Sequence, residues 1–576
     1  MSTITLGDKR RRQAVRNSTT TTRALWLALM VCAAVLALPM DTSAGARITI
    51  INGNLPGVGF NDPTPVVPVG GNPGTTLGQQ RLIAFQFAAD LWGATLDSNV
   101  EIRVLAQFTP LGPNVLGSAG TTYILDNFPG SPGFPGAQFP DTWYHSALAD
   151  KRAGRDVLED FDLEGEPDIV ANFSSDFNFY LGLDNNHGAL NDLVVVVLHE
   201  LSHGLGFANF VSETSGSNAS GLTDVYSQFT LDTTTNTRWA QIDPTASGNV
   251  ARAASALRVD KIVWDGEAVT AAVPSVLSFG RAEINVNSPA GIAGAYRVGT
   301  ASGFGPPLSS PGITNDVVLV NDGLGVTSDG CTALVNAAQV AGKIALADRG
   351  TCTFVQKALV AQAAGALALI IANNVAGDPP PALGGVDPTV TISSVSISIG
   401  LGTAIKAQLP GVNVTLGLDL TQRAGADPGD LAQLFATNPV QPGSSISHWD
   451  SIAFRNQLME PAINPDLTHE VIPPIDMTLP QLRDVGWFLD ANLDGEEDAT
   501  VVLGTCDTHT PNVLLSTGAT LADQARVWFR DCGRTARNTG QFVSCVSHAT
   551  NDAKASGLIT GAQKGAIQSC AAKFTR

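Results

Sequence analysis

His199 and His203 stand four residues apart in Leu193-Val-Val-Val-Val-Leu-His-Glu-Leu-Ser-His-Gly-Leu-Gly-Phe207, and Glu200 directly follows the first histidine. On a helix, positions four apart share a face. Both imidazoles can then aim at one point, with Glu200 beside that point but not at it. This arrangement suits a Zn²⁺ ion with a bound water and a carboxylate that takes the water's proton. The pattern is short, and two histidines on a buried helix can also be hydrogen-bonded core residues. Two features favour the metal. The polar residues follow directly on Val194-Val-Val-Val-Leu198, and burying them without a partner or ligand is costly. Two histidines cannot complete a zinc site, and a candidate third ligand exists further along the chain.

The elements that must position this site can be read from the flanks. Asn191 or Asp192 can cap the start of the helix. Gly204 and Gly206 let the chain leave it sharply. Upstream, Arg47–Ile51 reads as a short strand, and residues up to 75 are rich in Pro and Gly. Residues 76–92 carry apolar side chains at helical spacing, and residues 100–106 alternate like a strand. A Gly/Pro-rich loop is expected after that strand, through Asn127–Thr142. Residues 167–173 read as another strand, at the sheet edge over a cleft. Helix, strands and a site-bearing helix make an α/β layering. His145 and His187 lack useful ligand spacing and read as surface or loop residues.

Composition narrows the function classes. With 576 residues the chain needs two to four domains. Hydrophobic content is 44% and charged content only 15%, with 58 Gly and 33 Pro, which reads as folded and loop-rich. A formal charge of −19 argues against a nucleic-acid partner, because phosphates need a basic face. Six basic residues between Lys9 and Arg23 precede the apolar run Ala24–Leu38, and Ala44-Gly-Ala46 offers a cleavage site. Residues 1–46 are therefore expected to be a signal peptide. Its removal takes six basic and two acidic residues, leaving 27 and 50, a charge of −23. No later segment resembles a membrane span. The expected location is outside the cytoplasm: secreted by bacterial export, or periplasmic.

Of seven cysteines, Cys32 falls in the signal segment. An even set of six in an exported chain favours disulfides. Clustering suggests Cys331 with Cys352, and two bridges among Cys506, Cys532, Cys545 and Cys570, whose pairing stays open.

A distinct block runs from about 280 to 422. On residues alone it is an α+β unit with one disulfide and no catalytic group. It carries Gly342-Lys-Ile-Ala-Leu-Ala-Asp-Arg-Gly-Thr-Cys-Thr-Phe354, then a Lys-bearing helical stretch, Gly365–Asn374 and Val395-Ser-Ile397. In these segments it resembles the protease-associated (PA) domain, which implies a non-catalytic lid or substrate-binding module inserted in or beside a peptidase.

After the block, His448 stands next to Trp449, and Met459 follows eleven residues later. The set His199-Glu-Leu-Ser-His-Gly-Leu-Gly-Phe207, His448-Trp-Asp450, Leu458-Met459 and Asp484-Val-Gly-Trp487 resembles the leishmanolysin-like metzincin zinc proteases. The ordinary metzincin pattern would put a third histidine at position 209, which here is Asn209. The leishmanolysin-like pattern instead separates the third histidine by a long insertion. By that resemblance His448 is the third ligand, Met459 the Met-turn, and Glu200 the general base. Here the insertion also holds the PA-like block.

The expected architecture is thus an α/β (α+β) multidomain chain. A metzincin-like catalytic part, residues 47–279 and 423–490, is split by the PA-like block at 280–422. Residues 491–576 follow as an acidic linker and a small disulfide-stapled helical domain. Asp490–Asp498 resembles the start of a Ca²⁺ loop, but Val501 stands where a carboxylate belongs, so an acidic linker is the favoured reading. His469, His509 and His548 are expected at the surface without partners. The implied function is zinc-dependent hydrolysis of protein or peptide substrates, and no feature sets an oligomeric state. One rival is a non-catalytic binding or adhesion protein on a degenerate protease scaffold. Another is a zinc peptidase with an acidic third ligand, Glu213 or Asp224. No Gly-x-Ser-x-Gly elbow points to a serine nucleophile.

Overall fold

The computed structural model describes residues 2–4, 45–132, 134–301, 303–487, 498–503, 506–517 and 519–574. Nearly all of the expected signal segment, and the Asp490–Asp498 candidate Ca²⁺ loop up to residue 497, lie outside the described residues. Among the described residues no helix is long and apolar enough to cross a membrane.

The first layer is a four-stranded sheet. It comprises β1 (Ile48–Asn52), β2 (Ile102–Thr109), β3 (Gly117–Thr121) and β4 (Ile169–Ser174), in the order β1-β2-β4-β3. The first three in that order run parallel, and β3 returns antiparallel to β4. Strand β2 shows the alternation its sequence predicts: Ile102, Val104, Ala106 and Phe108 are buried. Strand β4 is interior, not the sheet edge expected for residues 167–173. One edge is β3, Gly-Ser-Ala-Gly-Thr, which has a single branched residue, Thr121, and falls where a Gly/Pro-rich loop is expected.

Two helices pack on this sheet. Helix α1 (Leu77–Thr95) starts where the Thr76 hydroxyl accepts from the Gln79 N–H. Helix α2 (Leu193–Leu205) carries the His-Glu pattern and starts where Asp192 accepts from the Val194 N–H at 2.8 Å. Four successive valines favour a strand by propensity. They sit in a helix because all thirteen residues of α2 are buried, so packing on every side outweighs local preference. The Trp487 indole donates to the Leu205 carbonyl at 2.7 Å, satisfying a group the helix end leaves open. Asp484, three residues earlier, accepts from the Ala268 and Val269 N–H groups at the start of α3 (Glu267–Val276). The Asp484-Val-Gly-Trp487 segment therefore ties two helices to each other.

The insert folds around an eight-stranded sheet running from Phe279 to Arg423. Its strands are β5 (Phe279–Ser288), β6 (Gly294–Arg297), β7 (Gly299–Thr300), β8 (Ile313–Leu319), β9 (Ile344–Asp348), β10 (Ala368–Ala372), β11 (Ser393–Ile397) and β12 (Asn413–Arg423). They lie in the order β6-β5-β12-β8-β9-β10-β11-β7. The β8-β9-β10-β11 run is parallel. The central strands β9 and β10 are covered on both faces, which explains their nearly continuous apolar sequences, Ile-Ala-Leu-Ala-Asp and Ala-Leu-Ile-Ile-Ala. Ile344 and Leu346 join one apolar cluster, Ala345 and Ala347 the other. Cys331 and Cys352 form a disulfide.

The last described unit holds the helices Leu521–Thr535, Thr539–Ala555 and Gly561–Lys573. Cys532 pairs with Cys545 and Cys506 with Cys570, one of the three arrangements left open. The unit is tied to the first domain by a two-bond contact of Arg483 with Asp523, at 2.8 and 2.7 Å, and by Arg530 with Glu470.

Candidate metal centre

His199, His203 and His448 meet. One ring nitrogen from each lies within 4.8 Å of the others, and all three side chains are buried. Each ring is fixed from behind. The Nδ1–H of His199 donates to the Leu458 carbonyl at 2.7 Å, that of His203 to Phe207 at 2.7 Å, and that of His448 to Ser444 at 2.8 Å. A carbonyl only accepts, so each Nδ1 carries the proton and each Nε2 presents a lone pair. The Nε2 atoms of His199 and His448 then face each other at 3.3 Å with no proton between them. That contact is repulsive unless a cation joins it. Tetrahedral zinc with Zn–N of about 2.0–2.1 Å separates its nitrogens by about 3.3–3.4 Å. The donor set therefore fits a zinc ion, and the three backbone carbonyls are the second layer that such ligands require.

Burial keeps the imidazoles neutral. It pushes His199 down to about 3, with the neighbouring His203 adding to the shift, and His203 down to about 4. His448 also falls well below the ordinary value, first through burial and then through the other two rings. Glu200 is pushed up to about 8 by burial, against which the Ala119 N–H acts. That N–H belongs to β3, the edge strand. A Cβ at Gly117, on the same strand, would lie 2.7 Å from the Glu200 Oε1. The edge strand thus passes close enough to Glu200 that only glycine fits at 117 without displacing it.

The returning segment is docked by residues that sequence reading passed over. Asn209, where an ordinary metzincin would place its third histidine, donates from its side chain to the Ser447 hydroxyl at 2.9 Å. It anchors the neighbour of His448 and is not in the cluster itself. Tyr226 adds a bond to the Ile446 carbonyl at 2.8 Å. Met459 is fully buried, and its carbonyl accepts from the Trp449 N–H at 2.8 Å. It lies in the turn whose Leu458 carbonyl holds His199. That turn is pinned by Asp476, which accepts from the Leu458 N–H at 2.6 Å. The signal for Asp476 was its place just before the helix Thr478–Asp484, where Oδ1 also takes the Thr478 N–H.

The two acidic alternatives are engaged elsewhere. Asp224 accepts from the Phe210 and Ser227 N–H groups, and Glu213 accepts from Asn209. Among the described residues, the cluster with metal-ligand spacing is the three histidines. His145, His469, His509 and His548 depart from their sequence reading, His145 in burial and the other three in having partners. His145 is fully buried, not a surface residue; its ring packs 4.6 Å from that of Phe210 and neither nitrogen has a partner. His469 is not without a partner: its Nε2 meets the Asp192 carboxylate at 3.0 Å, on the oxygen not used to cap α2. His187 bonds two backbone carbonyls from a partly exposed position, and His509 and His548 are exposed, bonded to Asp507 and to the Ser544 carbonyl.

The fold of the insert meets a known family here. Residues 313–405 match the family model of the PA domain. The insert carries a PA domain. A stretch of 154 residues is 29% identical to a probable leucine aminopeptidase 2 of Aspergillus fumigatus, covering 24% of this chain and 31% of that protein. A stretch of 167 residues is 29% identical to the probable leucine aminopeptidase 2 of Aspergillus oryzae, covering 26% and 32%. The chain spans about a third of the length of these curated relatives. Among solved structures it is similar to BSAP, a zinc aminopeptidase from Bacillus subtilis. The identity is 30%, the coverage 25% of this chain and 31% of that one, and the TM-score 0.20.

Proposed function

We propose that this protein is a zinc-dependent endopeptidase of the metzincin kind, with His199, His203 and His448 as ligands and Glu200 as general base. The observation that carries the reading is the set of three Nε2 lone pairs converging without a proton, each ring backed by a carbonyl. The PA domain and the aminopeptidase relatives support a peptidase. A bound zinc supplies Lewis acidity, polarising a scissile carbonyl and lowering the pKa of a water. Glu200 then does the proton work. Its carboxylate takes a proton from the attacking water and returns it to the leaving amine. The Ala119 N–H favours the charged form of that carboxylate, and the ring of carbonyls at Leu458, Phe207 and Ser444 holds the imidazoles in one tautomer. The buried setting raises the Glu200 pKa in the absence of a nearby cation, and a divalent charge beside it would draw it back down.

A second reading, an aminopeptidase, is favoured by the names of the relatives. N-terminally acetylated peptides separate the two, because an aminopeptidase needs a free terminal amine. We expect the purified chain with zinc to cut casein internally and to cleave an acetylated peptide. Release of single N-terminal residues, with acetylated peptides untouched, would favour the aminopeptidase.

The close approach at Gly117 gives a sharper expectation. In Gly117→Ala the new methyl displaces the Glu200 carboxylate. A displacement of about 1 Å at a catalytic group costs about 10²-fold. We expect kcat to fall by about that factor with zinc content unchanged, read by steady-state kinetics beside metal analysis. Wild-type kcat in this variant would show that β3 does not set the base.

A further inference from the structure

We infer that the insert positions the third ligand: Arg297, on β6, grips Asp450 and so fixes the segment that carries His448. This rests on the reading of His448 as a metal ligand. The Arg297 guanidinium meets both oxygens of Asp450, with Nη1 to Oδ2 at 2.8 Å and Nη2 to Oδ1. It also meets Asp260, whose other oxygen is held by Arg281. The Arg297 side chain is 8% exposed and that of Asp450 is 0% exposed. A two-bond contact of this kind fixes orientation as well as distance.

Asp450 is two residues from His448, and the chain between them has little freedom. The Trp449 N–H is bound to the Met459 carbonyl, the Asp450 N–H to Gln433, and the Asp450 Oδ1 also takes the Ile452 N–H. The grip on Asp450 is therefore a grip on the backbone of His448.

The insert holds the same segment at two further points. Before His448, Asp378 and Asn438 exchange backbone hydrogen bonds at 2.9 and 2.8 Å. After it, Phe454 is bonded at both its carbonyl and its N–H to Ser278 and Ala424, beside the paired ends of the insert at Phe279 and Arg423. These are backbone contacts that any stem would make. Arg297 is the side chain of the insert that reaches the buried carboxylate next to the site. Arg297, Asp260 and Asp378 also line a cavity of about 350 Å³ between the insert and the first domain. Without the guanidinium, Asp450 can turn toward that space to regain water, and the segment follows it.

A purely structural ion pair would have the same geometry, so the test needs a matched control. Arg281 belongs to the same cluster and bonds Asp260 but not Asp450. The full-length zinc-loaded chain is mixed with excess chelator, and zinc release is timed for wild type, Arg297→Gln, Arg297→Lys and Arg281→Gln, with melting temperatures alongside. Outer-layer changes of this kind cost about 10–100-fold in metal affinity. We expect release at least about tenfold faster in Arg297→Gln, an intermediate rate in Arg297→Lys, and a rate within about twofold of wild type in Arg281→Gln, on the same scale. Release at the wild-type rate in Arg297→Gln would overturn the inference. So would equal acceleration in Arg281→Gln, which would mean general loosening. If Arg297→Gln does not fold, Arg297→Lys decides by the same comparison. A wild-type chain that takes up no zinc would instead overturn the metal-site reading beneath it.

Discussion

Glu200→Gln should keep one zinc per chain and lose peptide hydrolysis by about 10²–10⁴-fold, the usual contribution of a positioned general base. Helix α2 performs two separable jobs. His199 and His203 point at the shared centre, and their rings are held by the Leu458 and Phe207 carbonyls. Removing the carboxylate's charge leaves that support intact. Glutamine has nearly the same shape, so the Ala119 N–H and the close approach of Gly117 are still accommodated. What disappears is the group that can accept a proton. The check is zinc content by metal analysis together with kcat on a peptide. A variant that loses zinc with activity would mean that Glu200 is a ligand. A variant with wild-type turnover would remove it from the chemistry.

His448→Ala should lose both, with zinc released on dialysis and no measurable hydrolysis. The three-nitrogen set is the minimum for a catalytic zinc that keeps a position open for water. Two imidazoles four residues apart on α2 remain, but the nitrogen lying 3.3 Å from His199 is gone. The fold should survive. Its cost is one buried side chain and a Ser444 carbonyl left without its donor, about 1–3 kcal/mol for the unsatisfied group. Thermal melting of the metal-free wild type and variant checks that part. Retention of stoichiometric zinc in a folded His448→Ala chain would show that some other group completes the site.

The parts of this site that were legible in the sequence are those that local chemistry dictates. The spacing of His199 and His203, the cap at Asp192 and the glycine at 206 announce a helix carrying two ligands and its exit, whereas Gly204 lies inside the helix, where a Cβ would meet Ile169 at 2.6 Å. Alternation in β2 and the apolar strands of the insert are equally local. What stayed hidden depends on partners far apart in the chain. The base is flanked by β3, where close passage over Glu200 needs glycine at position 117 more than it needs a branched side chain. His469 meets Asp192 across 277 positions, and Arg297 meets Asp450 across 153. Neither pair leaves a periodic trace. His145 at the end of a short strand gave no sign of burial, since a lone histidine between Tyr144 and Ser146 fits a loop equally well. His448 is the intermediate case. Its segment has no regular pattern, and only the likeness of several linked motifs singled it out.

The most direct test is anomalous diffraction at the zinc edge from crystals of the zinc-loaded chain. A single peak is expected about 2.0–2.1 Å from the Nε2 atoms of His199, His203 and His448, with Glu200 outside the bonding distance. A peak at a carboxylate site elsewhere, or zinc bound to His199 and His203 with the 448 ring turned away, would contradict it.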